Sequence, residues 1–102
     1  MKGTPSSPTP SDPYLQSLLA HARQDLAGLL GLAEEEIELV ELQPVTWPDG
    51  SLGCPQPGMA YTQVQVDGLR ILLRAASQVY HYHSGGSRQP FLCANPRQPF
   101  KP

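Results

Sequence analysis

Two cysteines and two histidines are the residues with the most evident chemical potential. Cys54 lies in a loop rich in proline and glycine, and Cys93 ends the last predicted strand. His81 and His83 are two positions apart, so on a strand both imidazoles project from the same face. Three outcomes are open for the cysteines: a disulfide, two free thiols or metal ligands, depending on the redox state of the compartment.

A disulfide would tie the loop to the sheet edge and stabilise the fold by about 3–4 kcal/mol through the entropy of the unfolded chain. The alternative is a metal-binding or thiol-redox protein using Cys54, Cys93, His81 and His83, which requires all four side chains to converge on one point. Neither cysteine belongs to a CxxC pair. Because H-x-H occurs by chance and a real site needs four convergent ligands, we interpret the histidines as surface residues and expect no metal and no cofactor.

Catalysis would need a nucleophile beside a base, and Cys54 with His81 or His83 is the one pair to consider. No third residue that would orient the base is evident, and no carboxylates are paired at a recognisable spacing. Gly85-Gly86 is followed by no lysine–serine pair, so it does not resemble a phosphate-binding loop. We expect a domain that is not an enzyme.

The segment from Trp47 to Gly58 has no periodicity and is long for so small a domain. Its prolines stiffen it, and a rigid loop loses little entropy on binding. It is either a structural clamp anchored by Trp47 or a protein-binding loop. The predicted binding residues lie in this segment and on the outer sheet face: Trp47, Asp49, Leu52, Cys54, Pro55, Pro57, Tyr61, Arg70, Leu72 and Arg74.

The same segment reads Trp-x-Asp-x-Ser-Leu-Gly-Cys-Pro-x-Pro-Gly-Met-x-Tyr from Trp47 to Tyr61. This pattern resembles a family of small uncharacterised bacterial proteins, as do Asp25-Leu26-Ala27, Tyr82-His83 and Leu92-Cys93. The resemblance covers roughly residues 15–93. It implies domain limits but no activity.

Val64-Gln65-Val66-Asp67-Gly68 approaches the Gln-x-Val-x-Gly signature of the cystatins, although its first position is Val64. One helix on an antiparallel sheet with a protruding hairpin also resembles the cystatin layout. A cystatin-like protease inhibitor is therefore a further alternative function.

The helix that must support these residues has clear boundaries. Asp12 can cap it, Pro13 suits its first position and Gly31 its end. Apolar side chains recur along one face at a period of 3.6 residues. This stripe consists of Leu15, Leu18, Leu19, Ala22, Leu26, Leu29 and Leu30.

The strands follow the helix. We predict one over Ile37–Thr46, with a bulge at Leu39-Val40, and another from Met59 that turns at Asp67-Gly68 into a hairpin.

In that hairpin Val66 would face Leu69 and Val64 would face Ile71. A second two-residue turn, at Ala76-Ser77, would place Tyr80 opposite Leu73 and Tyr82 opposite Ile71, with both tyrosines toward the helix.

Phe91-Leu92-Cys93 would be a short last strand. The predicted fold is α+β: one N-terminal amphipathic helix packed on an antiparallel sheet of about four strands, in two layers.

The length of 102 residues allows one domain, predicted over 12–93. Residues 1–11 have the composition of a disordered tail, and 94–102 of a flexible C-terminal tail. No apolar run reaches the roughly 20 residues of a membrane span, and no signal peptide is visible. The expected location is the cytoplasm by default, or outside it if Cys54 and Cys93 are bridged.

Charge is distributed unevenly along the chain. All nine acidic residues lie at or before Asp67, whereas the stretch after it is basic. We expect these two parts to neutralise each other across the fold. The sequence pI of about 5.8 does not favour nucleic-acid binding, so the expected partner is an unknown protein and the expected state a monomer.

Overall fold

The structure is a computed structural model that describes residues 12–93, and both predicted tails lie outside the described residues. Helix α1 (Pro13–Leu30) begins as predicted, because the Asp12 carboxylate accepts a hydrogen bond of 2.8 Å from the Tyr14 N–H. It ends at Gly31, which adopts the left-handed conformation with φ of 70°. No helix among the described residues is long and apolar enough to cross a membrane.

The predicted apolar stripe of α1 is confirmed over most of its length, where Leu18, Leu19, Ala22 and Leu26 are buried. It is wrong at the last turn, where Leu29 and Leu30 are exposed. Ala27 is buried there, and Leu32 beyond the helix packs against the core in their place. Glu34–Glu36 then form a short, exposed 3₁₀ helix.

Four antiparallel strands form one open sheet in chain order: β1 (Glu38–Trp47), β2 (Val66–Ala75), β3 (Gln78–Gly85) and β4 (Arg88–Leu92). With α1 against one face, this is the predicted α+β architecture. The bulge in β1 falls between Leu39 and Glu41, as expected.

The β2–β3 register is also as predicted. Tyr80 lies opposite Leu73, and Tyr82 lies opposite Ile71. Ala76 and Ser77 form the two-residue connection, both with positive φ. The tyrosines consequently face the helix, where Tyr82 is part of the main core and Tyr80 packs at its margin.

The predicted hairpin at Asp67-Gly68 is wrong. Strand β2 runs straight through both residues, and residues 59–65 are not part of a strand. Val66 pairs with Trp47, and Gly68 pairs with both Val45 and Gly85, so neither expected valine pairing forms.

Glycine is needed at position 68 for close approach and not for a turn. A Cβ there would collide with the Ser84 carbonyl oxygen and lie 2.6 Å from the Trp47 indole nitrogen. The glycine therefore makes room for a side chain from the neighbouring strand.

Apolar side chains are buried on both faces of the sheet. The main core lies between α1 and the sheet, and includes Leu26, Ile71 and Leu73. A second, smaller cluster lies on the opposite face, which we call the outer face. It consists of Val45, Trp47 and Leu52, with Val66 and Phe91 packed against them.

One hydrogen bond joins β3 to the helix across the main core. The buried Tyr82 hydroxyl donates to an Asp25 carboxylate oxygen at 2.7 Å. Burial raises the pKa of Tyr82, and the Asp25 carboxylate raises this pKa further. The hydroxyl therefore remains a protonated donor across the neutral pH range.

Tyr82→Phe should lower the free energy of unfolding by about 1 kcal/mol, since it removes this bond without leaving a buried polar atom unpaired. Tyr80→Phe is the matched control, because its hydroxyl lies 3.5 Å from the Gln78 side chain at an exposed position. Urea denaturation measures both variants. Equal losses in the two would contradict a specific helix–sheet bond.

Candidate functional site

The connection between β1 and β2 covers part of the outer face. It spans residues 48–65, longer than the predicted 47–58 segment, because the expected strand at Met59 does not form. We refer to residues 48–65 as the β1–β2 loop.

Trp47, at the end of β1, anchors the start of this loop. Its side chain is 0% exposed. The indole Nε1–H donates to the Ser84 carbonyl oxygen at 2.8 Å, so its polar group is paired. The ring stacks on His83 with 4.6 Å between centroids.

The loop returns over the Trp47 ring at Leu52 and Gly53. Gly53 has φ of 74°, and a Cβ there would run into the indole, with Cε3 at 2.8 Å. The Leu52 carbonyl oxygen accepts a hydrogen bond of 2.7 Å from Nδ1 of His83. The loop backbone is thus held against two aromatic rings that project from the sheet.

A disulfide between Cys54 and Cys93 fixes the next residue of the loop to the end of β4. The Cα atoms are 5.9 Å apart, the sequence separation is 39, and both cysteines are buried. The Cys93 N–H donates to the His81 carbonyl oxygen, which aligns Cys93 with β3.

Of the three outcomes considered for the cysteines, the structure shows the disulfide. Because the sulfurs of Cys54 and Cys93 are bonded to each other, they are not thiolate ligands beside His81 and His83. Within residues 12–93 no group of three or more histidine, cysteine or acidic side chains could hold a metal ion.

Short polar contacts close the two ends of the loop. The Asp49 carboxylate accepts hydrogen bonds from the Ser51 N–H at 2.9 Å and the Ser51 hydroxyl at 2.6 Å. The Gly50 N–H donates to the Thr62 carbonyl oxygen at 2.9 Å. The entering and leaving segments are therefore joined directly.

His83 is 1% exposed, so its interpretation as a surface residue is wrong. It lies on the outer face, opposite Arg70 of β2, and the loop covers it. Burial lowers the pKa of His83; the bond to Leu52 opposes this shift, whereas the charges of His81 and Arg70 add to it. Burial, with the charge of Arg70, also lowers the pKa of His81.

The tautomer of neutral His83 follows from these contacts. A carbonyl oxygen can only accept, so Nδ1 carries the proton donated to Leu52. The buried Nε2 has no hydrogen-bond partner in the described part of the chain. Protonating Nε2 would place a charge in an apolar site beside Trp47 and Phe91.

Beyond the loop, two arginines of the outer face form ion pairs with glutamates of β1. Arg70 forms an ion pair of 3.1 Å with Glu41, and Arg74 one of 3.4 Å with Glu38. Leu72 between them is half-buried. The acids of β1 thus meet the cations of β2, in agreement with the expected neutralisation between the two parts of the chain.

The remaining predicted binding residues divide by exposure. Trp47, Leu52 and Cys54 are buried between the loop and the sheet. Asp49, Pro55 and Tyr61 are half-buried, and Pro57 is exposed. Tyr61 lies in the loop and not on a strand of the outer face.

The exposed part of the loop contains residues that the sequence analysis missed. The side chains of Met59 and Val64 are 61% and 60% exposed. The predicted strand from Met59 placed Val64 opposite Ile71, so its exposure in a loop was not expected. The Val64–Gly68 segment is no hairpin tip, so the feature behind the cystatin resemblance is not formed.

A hollow of about 500 Å³ lies between this exposed part and β4. The residues that line it are Ser51, Cys54, Gln56, Pro57, Met59, Tyr61, Arg88 and Phe91. Of these, Arg88 and Phe91 were also missed, because neither carries a local sequence signal.

Gly53→Ala and Gly58→Ala separate packing against Trp47 from backbone strain. Both glycines have positive φ, but a Cβ at Gly58 meets nothing within 4 Å. Gly58→Ala should cost about 1 kcal/mol of the free energy of unfolding. Gly53→Ala should cost about 3 kcal/mol or more, since the Trp47 indole must move. Denaturation followed by Trp47 fluorescence measures both, and similar costs would exclude a tight Gly53–indole contact.

The lowered pKa of His83 predicts a pH dependence of stability. Below about pH 6.5 the unfolded chain binds a proton that folded His83 resists. The free energy of unfolding should therefore rise with pH between about pH 5 and about pH 7 and then level off.

His83→Asn should reduce this slope, and His21→Asn, at an exposed position, should preserve it. Urea denaturation at several pH values provides the comparison. An unchanged slope in His83→Asn would show that His83 is not the responsible group.

One protein family matches the chain over residues 19–93, which contain most of α1, the four strands, the β1–β2 loop and both cysteines. That family is described as a domain of unknown function, DUF8738. Neither a curated protein nor a solved structure matches the chain. The family match covers well over half of the 102 residues, and the chain therefore belongs to the DUF8738 family.

Proposed function

We propose that this domain is a non-catalytic protein-binding module that presents the exposed part of the β1–β2 loop, residues 56–64, to a partner. The observation that carries this proposal is a contrast within one loop. Residues 51–54 are buried and fixed to the sheet, whereas Met59 and Val64 are more than half exposed.

Rigid support favours binding by this surface. Trp47 and the Cys54–Cys93 disulfide hold one end of the exposed part, and the Gly50–Thr62 hydrogen bond holds the other. A surface ordered before binding loses little conformational entropy when a partner arrives. Exposed methionine side chains are also adaptable contacts, since the thioether is flexible and polarisable.

The same contacts support a non-catalytic role. The Cys54 sulfur is bonded to Cys93 and is not a thiolate nucleophile. His83 is covered by the loop, with Nδ1 committed to the Leu52 carbonyl oxygen. A general base must reach the proton it abstracts, and this imidazole has no open path to a substrate.

The disulfide also favours an oxidising compartment, because such bonds persist there and are rare where thiols are kept reduced. In that compartment the Cys54–Cys93 disulfide would hold the loop against the end of β4 before a partner binds.

Photo-crosslinking in cells that express the protein tests the proposal. Benzoylphenylalanine at position 59 or 64 should form the same crosslinked product with one partner protein. The same group at Leu29, which is as exposed as Met59 at 61%, should not form it.

Competition with purified domain then tests whether the Met59 and Val64 side chains are needed to bind the crosslinked partner. The Met59→Ser, Val64→Ser double variant should compete at least about tenfold less well than the unmodified domain, as expected for apolar contacts at the centre of an interface. Leu29→Ser should compete fully. A double variant that competes as well as the unmodified domain would refute the proposal.

A further inference from the structure

We propose that the hollow between the β1–β2 loop and β4 binds a partner segment that carries an acidic side chain next to an aromatic one. This inference rests on the proposed function and specifies which peptide chemistry the exposed loop recognises. It is carried by the walls of the hollow and by one cation at its edge.

The walls suit a flat apolar group. Met59, Tyr61 and Phe91 line the hollow, and its volume of about 500 Å³ lies within the range of about 300–1,000 Å³ typical of ligand sites. Aromatic rings and a thioether sulfur pack favourably against an incoming aromatic side chain.

Arg88 provides the positive charge that would bind the acidic side chain of the partner. Its guanidinium carbon lies 3.9 Å from the centroid of the Phe91 ring, so the guanidinium stacks on that ring. Stacking uses the face of the group and leaves the N–H donors in its plane directed outward. Among the described residues no acidic side chain pairs with Arg88, and none lines the hollow.

Within residues 12–93, Arg88 is the one cation that lines the hollow, which favours a single carboxylate. Arg70 and Arg74 on the same face are already paired with Glu41 and Glu38. Binding to a phosphate backbone would need several such cations. A carboxylate can accept two parallel hydrogen bonds from the edge of one guanidinium.

The hollow is preformed on its loop side. The Tyr61 hydroxyl accepts a hydrogen bond of 2.9 Å from the Gln56 N–H, which sets the loop wall. Cys54 in the floor is bonded to Cys93. Phe91 in the opposite wall lies edge-on to His83, with 6.3 Å between ring centroids. An aromatic side chain would therefore enter without rebuilding the site.

Titration of the ¹⁵N-labelled, oxidised full chain by NMR provides the test. The probes are the blocked tetrapeptides acetyl-Gly-Phe-Glu-Gly-amide and acetyl-Gly-Phe-Gln-Gly-amide, which differ in one charge. The glutamate peptide should shift the amides of Met59, Tyr61, Arg88 and Phe91 with a dissociation constant of about 1 mM. The glutamine peptide should bind about threefold to fivefold more weakly.

Two variants assign the charge effect. Arg88→Gln should bind both peptides equally, whereas Arg74→Gln, on the distant part of the outer face, should keep the preference for glutamate. Unchanged thermal unfolding of Arg88→Gln would establish that its fold is intact, and an Arg88→Lys variant should retain part of the preference if Arg88→Gln is destabilised.

Equal binding of the two peptides to the unmodified domain would overturn the inference, as would no shift at about 10 mM peptide. A preference for a peptide with a free C-terminal carboxylate over the blocked glutamate peptide would overturn it too. None of these three results affects the crosslinking and competition test, so failure of this inference is distinguishable from failure of the proposed function.

Discussion

Burial of the Trp47 indole is the constraint on which the outer face depends. The ring occupies a space bounded by His83, Gly53, Gly68 and Gly85, and a Cβ on any of these glycines would collide with or crowd it. Its N–H is paired with the Ser84 carbonyl oxygen, so burial leaves no polar atom unpaired. Removing a buried tryptophan of this kind typically costs about 3–5 kcal/mol. The second cluster is therefore organised around one side chain.

The two halves of the β1–β2 loop differ in burial, and this difference bears on function. Its first half, with Leu52 and Cys54, belongs to the fold, because it covers the indole and is bonded to Cys93. Its second half, with Met59 and Val64, contributes little buried area and remains exposed. The clamp interpretation therefore describes the first half of the loop, and the proposed binding surface is confined to the second half.

Local signals made much of the fold predictable. The Asp12 cap, the Gly31 end and the Ala76-Ser77 turn each depend on a few neighbouring residues, and each was identified correctly. Asp67-Gly68 gives an equally strong local turn signal, but Gly68 serves a contact with Trp47 and Ser84, which are distant in sequence. A local sequence pattern cannot distinguish a glycine that forms a turn from a glycine that lets another part of the chain pack closely against the backbone.

The site was predictable only in part for the same reason. The motif from Trp47 to Tyr61 located the loop, and the two cysteines were recognised as a possible bridge. The burial of His83 and the placement of Arg88 beside the loop depend on which parts of the chain meet across β3 and β4. Strand pairing and loop path decide such contacts, and neither is encoded in a short window.

Hydrogen exchange of the Trp47 indole N–H tests the central claim most directly. The chain contains one tryptophan, so its indole signal in an NMR spectrum is unambiguous. The account predicts that this proton exchanges as slowly as the backbone amide of Ile71, which lies in the fully buried centre of β2. Exchange at the rate of an exposed indole would contradict the account, because the loop would then not be held over a buried ring.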